Sequence, residues 1–205
     1  GMDFSAIKYF FLSHFHLDHV SDLFAVILSR WLRGLPDNDR IYITGPEATS
    51  DMITNAKKYF FANEKWILPE KITVNDLTSG SLAIGNLEIK TLPTNHTENS
   101  ICYRVEDKSG KSFFYSGDTD YNENIIALCD RSDISVIECS HSGSSGNSEG
   151  HMTFSKLLKV ARQVKTKRMI LSHFYQDFFA DGGREKTEGK GNITIAEDFD
   201  TFTFT

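Results

Sequence analysis

His14-Phe15-His16-Leu17-Asp18-His19 places four metal-ligating side chains within six residues. The segment follows the apolar run Ile7-Lys8-Tyr9-Phe10-Phe11-Leu12, which reads as a buried strand. Residues two apart on extended backbone point to one side, so His14 and His16 share a face. Asp18 and His19 follow as the chain turns into a helix, where adjacent residues project in different directions. One short segment can thus offer two ligands to one ion and two to a second ion nearby. Imidazole suits zinc, iron or manganese, and the carboxylate adds a hard oxygen. The bland alternative is a chance histidine cluster on a surface loop, and a hydrophobic strand delivering the cluster argues against it.

The whole chain has 205 residues, 40% of them hydrophobic and 24% charged, with a formal net charge of −6. That length fits one domain, taken here as residues 2–205, with Gly1 before Met2 reading as a tag-cleavage scar. No apolar run approaches the roughly 20 residues that span a bilayer, and no signal peptide is visible, so a cytoplasmic protein is expected. The acidic balance argues against a general nucleic-acid surface but leaves room for a small anionic substrate held by metal ions. Cys102, Cys129 and Cys139 are odd in number and form no CxxC pair. They read as buried reduced thiols rather than a disulfide framework or a structural zinc site.

Beyond the histidine segment, residues 22–33 carry helical apolar spacing, ended by Gly34 and Pro36. Residues 40–44 read as a short β-branched strand, and Gly45-Pro46 opens a helix running to about Phe61. Between residues 71 and 105, short strands alternate with turns at Gly80 and Gly85. Further strands are expected at 111–115, 134–137 and 168–172, and helices at 122–129 and 153–164, the last with Thr153 as N-cap. Two glycine-rich loops are expected, at 140–150 and 181–191. Mixed strands and helices without a composition break suggest one layered α/β domain.

The segment from His14 to His19 resembles the HxHxDH signature of the metallo-β-lactamase superfamily. The resemblance implies an α+β fold, the αββα four-layer sandwich, and two divalent metal ions per chain, zinc foremost, with manganese or iron as alternatives. It also implies three more ligands, each at the end of a strand and in a set order. His96 after Leu92-Pro93-Thr94-Asn95, Asp118 in Ser116-Gly117-Asp118-Thr119 and His173 after Ile170-Leu171-Ser172 meet that order. Carried over residue by residue, His14, His16 and His96 fall on one metal and Asp18, His19 and His173 on the other. Asp118 bridges the pair. Within the superfamily the chain is similar to the ribonuclease Z and cyclic phosphodiesterase branch. There a histidine before a helix protonates the leaving oxygen, which implies His151 as general acid and Glu138 as its orienting partner. His141 receives no firm role.

The chain also departs from the pattern. Only thirteen residues precede His14, so the N-terminal strands of the family fold are expected to be shortened or missing. An uncovered apolar edge is expected near Phe4, Phe10 and Phe11, with a second copy of the chain covering it. No long inserted arm of the kind that grips tRNA is evident, which makes a small phosphoester the more comfortable substrate. The expected activity is metal-dependent hydrolysis, most naturally of a phosphodiester, with Asp18 orienting the attacking hydroxide. The alternatives are a carbonyl-ester hydrolase of lactonase or thioesterase type, or a metal-binding member without turnover. Carbonyl members of the family more often use a tyrosine near the site, so His151 favours phosphorus.

Overall fold

The computed structural model describes residues 6–34, 40–60, 71–143 and 148–204. Its chain divides into two compact units, Gly1–Thr78 and Ser79–Thr205.

In the first unit, β1 (Tyr9–Phe11), β2 (Ile41–Gly45) and β3 (Ile72–Asp76) form a parallel sheet in the order β1-β2-β3. Parallel neighbours need a crossover, and here α1 (Leu17–Leu32) and α2 (Thr49–Phe60) supply it. Val20, Leu23 and Ile27 form the apolar stripe of α1, which packs with Leu12, Ile41, Ile43 and Ile53. The next position on that stripe is Arg30, only 1% exposed, whose guanidinium donates to the Ile7 carbonyl at 2.6 Å. Gly45 is required by space. A Cβ there would stand 2.5 Å from Thr49 Oγ1 and 3.1 Å from Leu12 Cβ.

The second unit holds a seven-stranded sheet in the order β10-β9-β8-β7-β6-β5-β4. Its strands are β4 (Gly80–Ile84), β5 (Leu87–Pro93), β6 (Ile101–Asp107), β7 (Ser112–Tyr115), β8 (Ile134–Glu138), β9 (Arg168–Ser172) and β10 (Ile193–Ile195). The run from β4 to β7 is antiparallel and that from β7 to β10 is parallel. Two antiparallel steps separate β5 from β7, so β5, β7, β8 and β9 all point the same way. Their carboxyl ends share one rim of the sheet, where α/β proteins commonly place ligands. The crossover helices are α3 (Glu123–Cys129), with Asn122 accepting from Ile125 N, and α4 (Phe154–Gln163). Thr153 caps α4 by accepting from Lys156 N, as its sequence suggests. Phe154, Leu157 and Val160 of α4 pack with Phe114, Ile125 and Ile137.

Several details correct the sequence reading. Helix α1 begins at Leu17, five residues before the apolar periodicity announces it, so Asp18 and His19 lie in its first turn. Strand β1 is not buried: Tyr9 is 43% and Phe11 38% exposed, while Leu12 just beyond the strand is in the core. Gly80 belongs to β4 rather than to a turn. The segment 181–191 is not an open loop, because α6 (Gly183–Thr187) forms within it after α5 (Gln176–Ala180). Phe4, Pro36, Phe61 and part of the 140–150 loop lie outside the described residues. All three cysteines are buried and free. Among the described residues, no helix is long and apolar enough to cross a membrane.

Candidate metal centre and active site

In the first unit, the chain leaves β1 through Leu12 and passes His14 before entering α1. His16 is the N-cap and is still extended, with φ −63° and ψ 148°. The ring centroids of His14 and His16 are 4.7 Å apart, and those of His14 and His19 are 4.1 Å apart. Asp18 Oδ2 lies 3.3 Å from His19 Nε2. All four side chains therefore belong to one cluster, with His14 buried and His16 and Asp18 exposed.

In the second unit, the shared rim brings together His96 after β5, Asp118 after β7, Glu138 at the end of β8 and His173 after β9. His96 Nδ1 is 2.8 Å from the Gly150 carbonyl oxygen, which can only accept. Nδ1 therefore carries the proton, and Nε2, 3.8 Å from Asp118 Oδ2, keeps the lone pair a metal needs. Glycine is needed at position 150 on two counts. Its φ is +79°, and a Cβ would press on His96 Nδ1 at 3.2 Å.

Ser140 does the equivalent work for His173. Its hydroxyl donates to Glu138 Oε2 at 2.6 Å, which leaves the oxygen to accept from His173 Nδ1 at 3.0 Å. His173 Nε2 then faces Asp118 Oδ2 at 3.4 Å. His173 adopts φ +59°, a left-handed conformation that costs a residue with a Cβ about 1–2 kcal/mol. Strain of this kind concentrates at functional sites. Ligand atoms of Asp118, His151 and His173 all lie within 4.8 Å of one another. Two imidazoles fixed through Nδ1, with Nε2 turned to a nearly buried carboxylate, are a donor set that fits a divalent ion such as zinc.

Glu138 is the hub of the surrounding network. It is 3% exposed and accepts from Thr119 N at 2.5 Å, Ser140 Oγ at 2.6 Å and His151 Nδ1 at 3.1 Å. Glu138 and His151 are thus in direct contact. On the far side of the imidazole, the Tyr175 hydroxyl is 3.3 Å from His151 Nε2. His141 is not idle: its Nδ1 is 2.8 Å from Asp177 Oδ2, and its ring meets that of Tyr175 edge-on at 5.0 Å. Sequence reading missed Ser140, Gly150 and Tyr175. The only signal was spacing, because Ser140 and Tyr175 each stand two residues beyond a residue already singled out.

A family model describing a β-lactamase superfamily domain matches residues 2–174. The chain belongs to that superfamily. Among relatives, it is 24% identical over 191 residues to ribonuclease Z 1 of Schizosaccharomyces pombe, a match covering 86% of this chain and 24% of that protein. It spans between 24% and 46% of the length of the curated ribonuclease Z relatives it matches. The crystal structure of YhfI, a metallo-β-lactamase fold protein from Bacillus subtilis, superposes with a TM-score of 0.78 at 21% identity, covering 98% of this chain and 79% of that one. The short form of human tRNase Z superposes with a TM-score of 0.75 at 19% identity, covering all of this chain and 82% of that one. The metallo-β-lactamase fold implied by the histidine signature is therefore the fold of this protein, and its relatives include proteins named ribonuclease Z and a probable metallo-hydrolase, YhfI of Bacillus subtilis.

Proposed function

We propose that this chain is a dinuclear metal-dependent phosphodiesterase acting on a small anionic phosphoester, its two units working as one domain. The ligand assignment is that implied by the superfamily pattern. His14, His16 and His96 hold one divalent ion, Asp18, His19 and His173 hold the other, and Asp118 serves both. Bound there, the ions supply hydroxide at neutral pH by lowering the pKa of water, and they offset charge building on the phosphoryl oxygens.

The rest of the chemistry belongs to side chains. Asp18 accepts a hydrogen bond from the attacking water and aims it at phosphorus. Glu138 ties Nδ1 of His151, so Nε2 is the nitrogen that exchanges a proton with substrate. As the new P–O bond forms, the bond to the leaving group breaks and its electron pair passes to the leaving oxygen. That oxygen takes the proton from His151 Nε2, and the Glu138 carboxylate balances the positive charge His151 carries beforehand. The observation that carries this reading is the contact between Glu138 and His151 beside Asp118 and His173.

The test compares bis-p-nitrophenyl phosphate, cyclic nucleotides and acyl-lactones on one purified sample, together with elemental analysis. Two ions per chain and phosphodiester turnover are expected. His151→Ala should cost 10²–10⁴ in kcat, the usual worth of a general acid, at unaltered metal content. Metal loss in that variant would make His151 a ligand and refute its role as acid. A second reading, hydrolysis of a carbonyl ester, draws support from Tyr175 standing 3.3 Å from His151 Nε2. Turnover of lactones alone would establish it in place of the first.

A further inference from the structure

Tyr175 is 44% exposed, yet its ring is confined on three sides. Its centroid lies 5.0 Å from that of His141, 5.4 Å from His151 and 5.7 Å from His173. The backbone is pinned as well, since Tyr175 N donates to the Ser140 carbonyl at 3.0 Å. The His141 wall is itself braced, because Asp177 holds Nδ1 of that imidazole at 2.8 Å. A tyrosine at the surface ordinarily keeps rotamer freedom. This one has been given a fixed address, and the address is Nε2 of His151, 3.3 Å from its hydroxyl.

We propose that Tyr175 is a further catalytic residue, whose hydroxyl donates a hydrogen bond to the leaving oxygen of the phosphoester alongside His151. This rests on the phosphodiesterase reading. Two atoms 3.3 Å apart leave room for one oxygen within hydrogen-bond reach of both. With substrate absent, the Nε2–H of the positively charged His151 imidazole donates to the tyrosine oxygen. With the leaving oxygen seated against both atoms, Nε2–H and the tyrosine O–H both point to that oxygen, while the ring stays where His141 holds it. The phosphorus–oxygen bond breaks, the pair goes to the leaving oxygen, and His151 Nε2 supplies the single proton transferred. Tyr175 keeps its own proton and shares it only as a hydrogen bond. The pair His141 and Asp177, which the general-acid chemistry does not use, thereby acquires a purpose as the wall that positions Tyr175.

A donor at the leaving oxygen matters most when the leaving group is a poor one. An alkoxide needs its charge quenched, whereas p-nitrophenolate largely carries its own. Tyr175→Phe removes one oxygen atom and keeps the ring contacts. It should lower kcat on a cyclic nucleotide about tenfold, the worth of one hydrogen bond, with KM within twofold. The loss on bis-p-nitrophenyl phosphate should be at least fivefold smaller. In the metal-free protein, ¹⁵N NMR of the histidine side chains should show the His151 Nε2 resonance moving in Tyr175→Phe. Equal losses on both esters, or an unmoved Nε2 resonance, would overturn the proposal. Absence of phosphodiester turnover in the unmodified protein would instead overturn the phosphodiesterase reading, and the leaving-oxygen role with it, whatever the resonance does.

Discussion

Replacing Glu138 by glutamine tests whether this buried carboxylate acts through His151 or through its other partners. The carboxylate accepts from three donors at 2.5, 2.6 and 3.1 Å. A glutamine amide can keep its oxygen on Thr119 N and His151 Nδ1 only by turning its NH2 to Ser140 Oγ, whose hydroxyl then leaves position 138 and donates to the His173 carbonyl at 3.0 Å. The charge-assisted bonds become neutral ones, each about 1 kcal/mol weaker, so stability should fall by about 1–3 kcal/mol. The kinetic loss has a different origin. The hydrogen bond from His151 to a charged carboxylate is worth about 1.5–3 kcal/mol, and most of that is realised when the imidazole is positively charged. At 1.36 kcal/mol per decade, kcat on a cyclic nucleotide should fall roughly 10- to 150-fold in Glu138→Gln. The decisive sample is the double variant with His151→Ala. If Glu138 works only through that imidazole, the double variant turns over within threefold of His151→Ala alone, at equal metal content. A multiplicative loss would refute the reasoning and assign the effect to Thr119, the residue after Asp118.

Other outcomes follow from single positions. Gly150→Ala forces a Cβ to 3.2 Å from His96 Nδ1 at φ +79°, so weaker metal retention in a chelator competition is expected, by at least tenfold. Burial pushes the Cys129 thiol up to about 11 and the Cys102 thiol up to about 12, against an ordinary value of 9.0. Above pH 9 the unfolded chain releases those protons and the folded chain does not. Stability should therefore fall with rising pH by up to about 1.4 kcal/mol per unit for each thiol, read as a declining urea midpoint, and Cys102→Ala should flatten that slope. At the acid end, the hydrogen bond from Lys167 and the backbone N–H of Ser112 hold Asp133 below its ordinary 3.8. Its contribution is present above that value and lost as pH falls through the lower folded one, so Asp133→Asn should show a shallower acid limb below pH 4.

How much could be read in advance differs along the chain for physical reasons. Strands β7, β8 and β9 are short apolar runs closed by polar residues, and their ends could be placed because hydrophobic patterning and the next polar residue coincide. The cap of α4 was legible because Thr153 and the apolar face behind it are local features. The start of α1 was not. Its first turn carries Leu17 and Asp18 outward, so the stripe that marks a buried helix face begins later, at Val20. Helix α6 hides among glycines whose composition speaks for a loop, and its burial is decided by Phe178, which lies against Gly183. The seven ligand candidates were found through their order and the strand ends that carry them. Ser140 and Tyr175 emerge only once β8 and β9 lie side by side, with Glu138 in register with Ser172. No local pattern encodes that adjacency.

The guanidinium of Arg30 reaches back from the far end of α1 to the carbonyl of Ile7, ahead of β1. Between those two residues lies the whole of the first histidine cluster, so the stretch is clasped at both ends like a buckled strap. Geometry at the cluster is therefore set partly by a latch in the interior of its own unit. Loosening that latch, as in Arg30→Met, would let strand and helix drift and spread His14 from His19. Evolutionary or engineered tuning of metal affinity thus has a handle remote from every ligand.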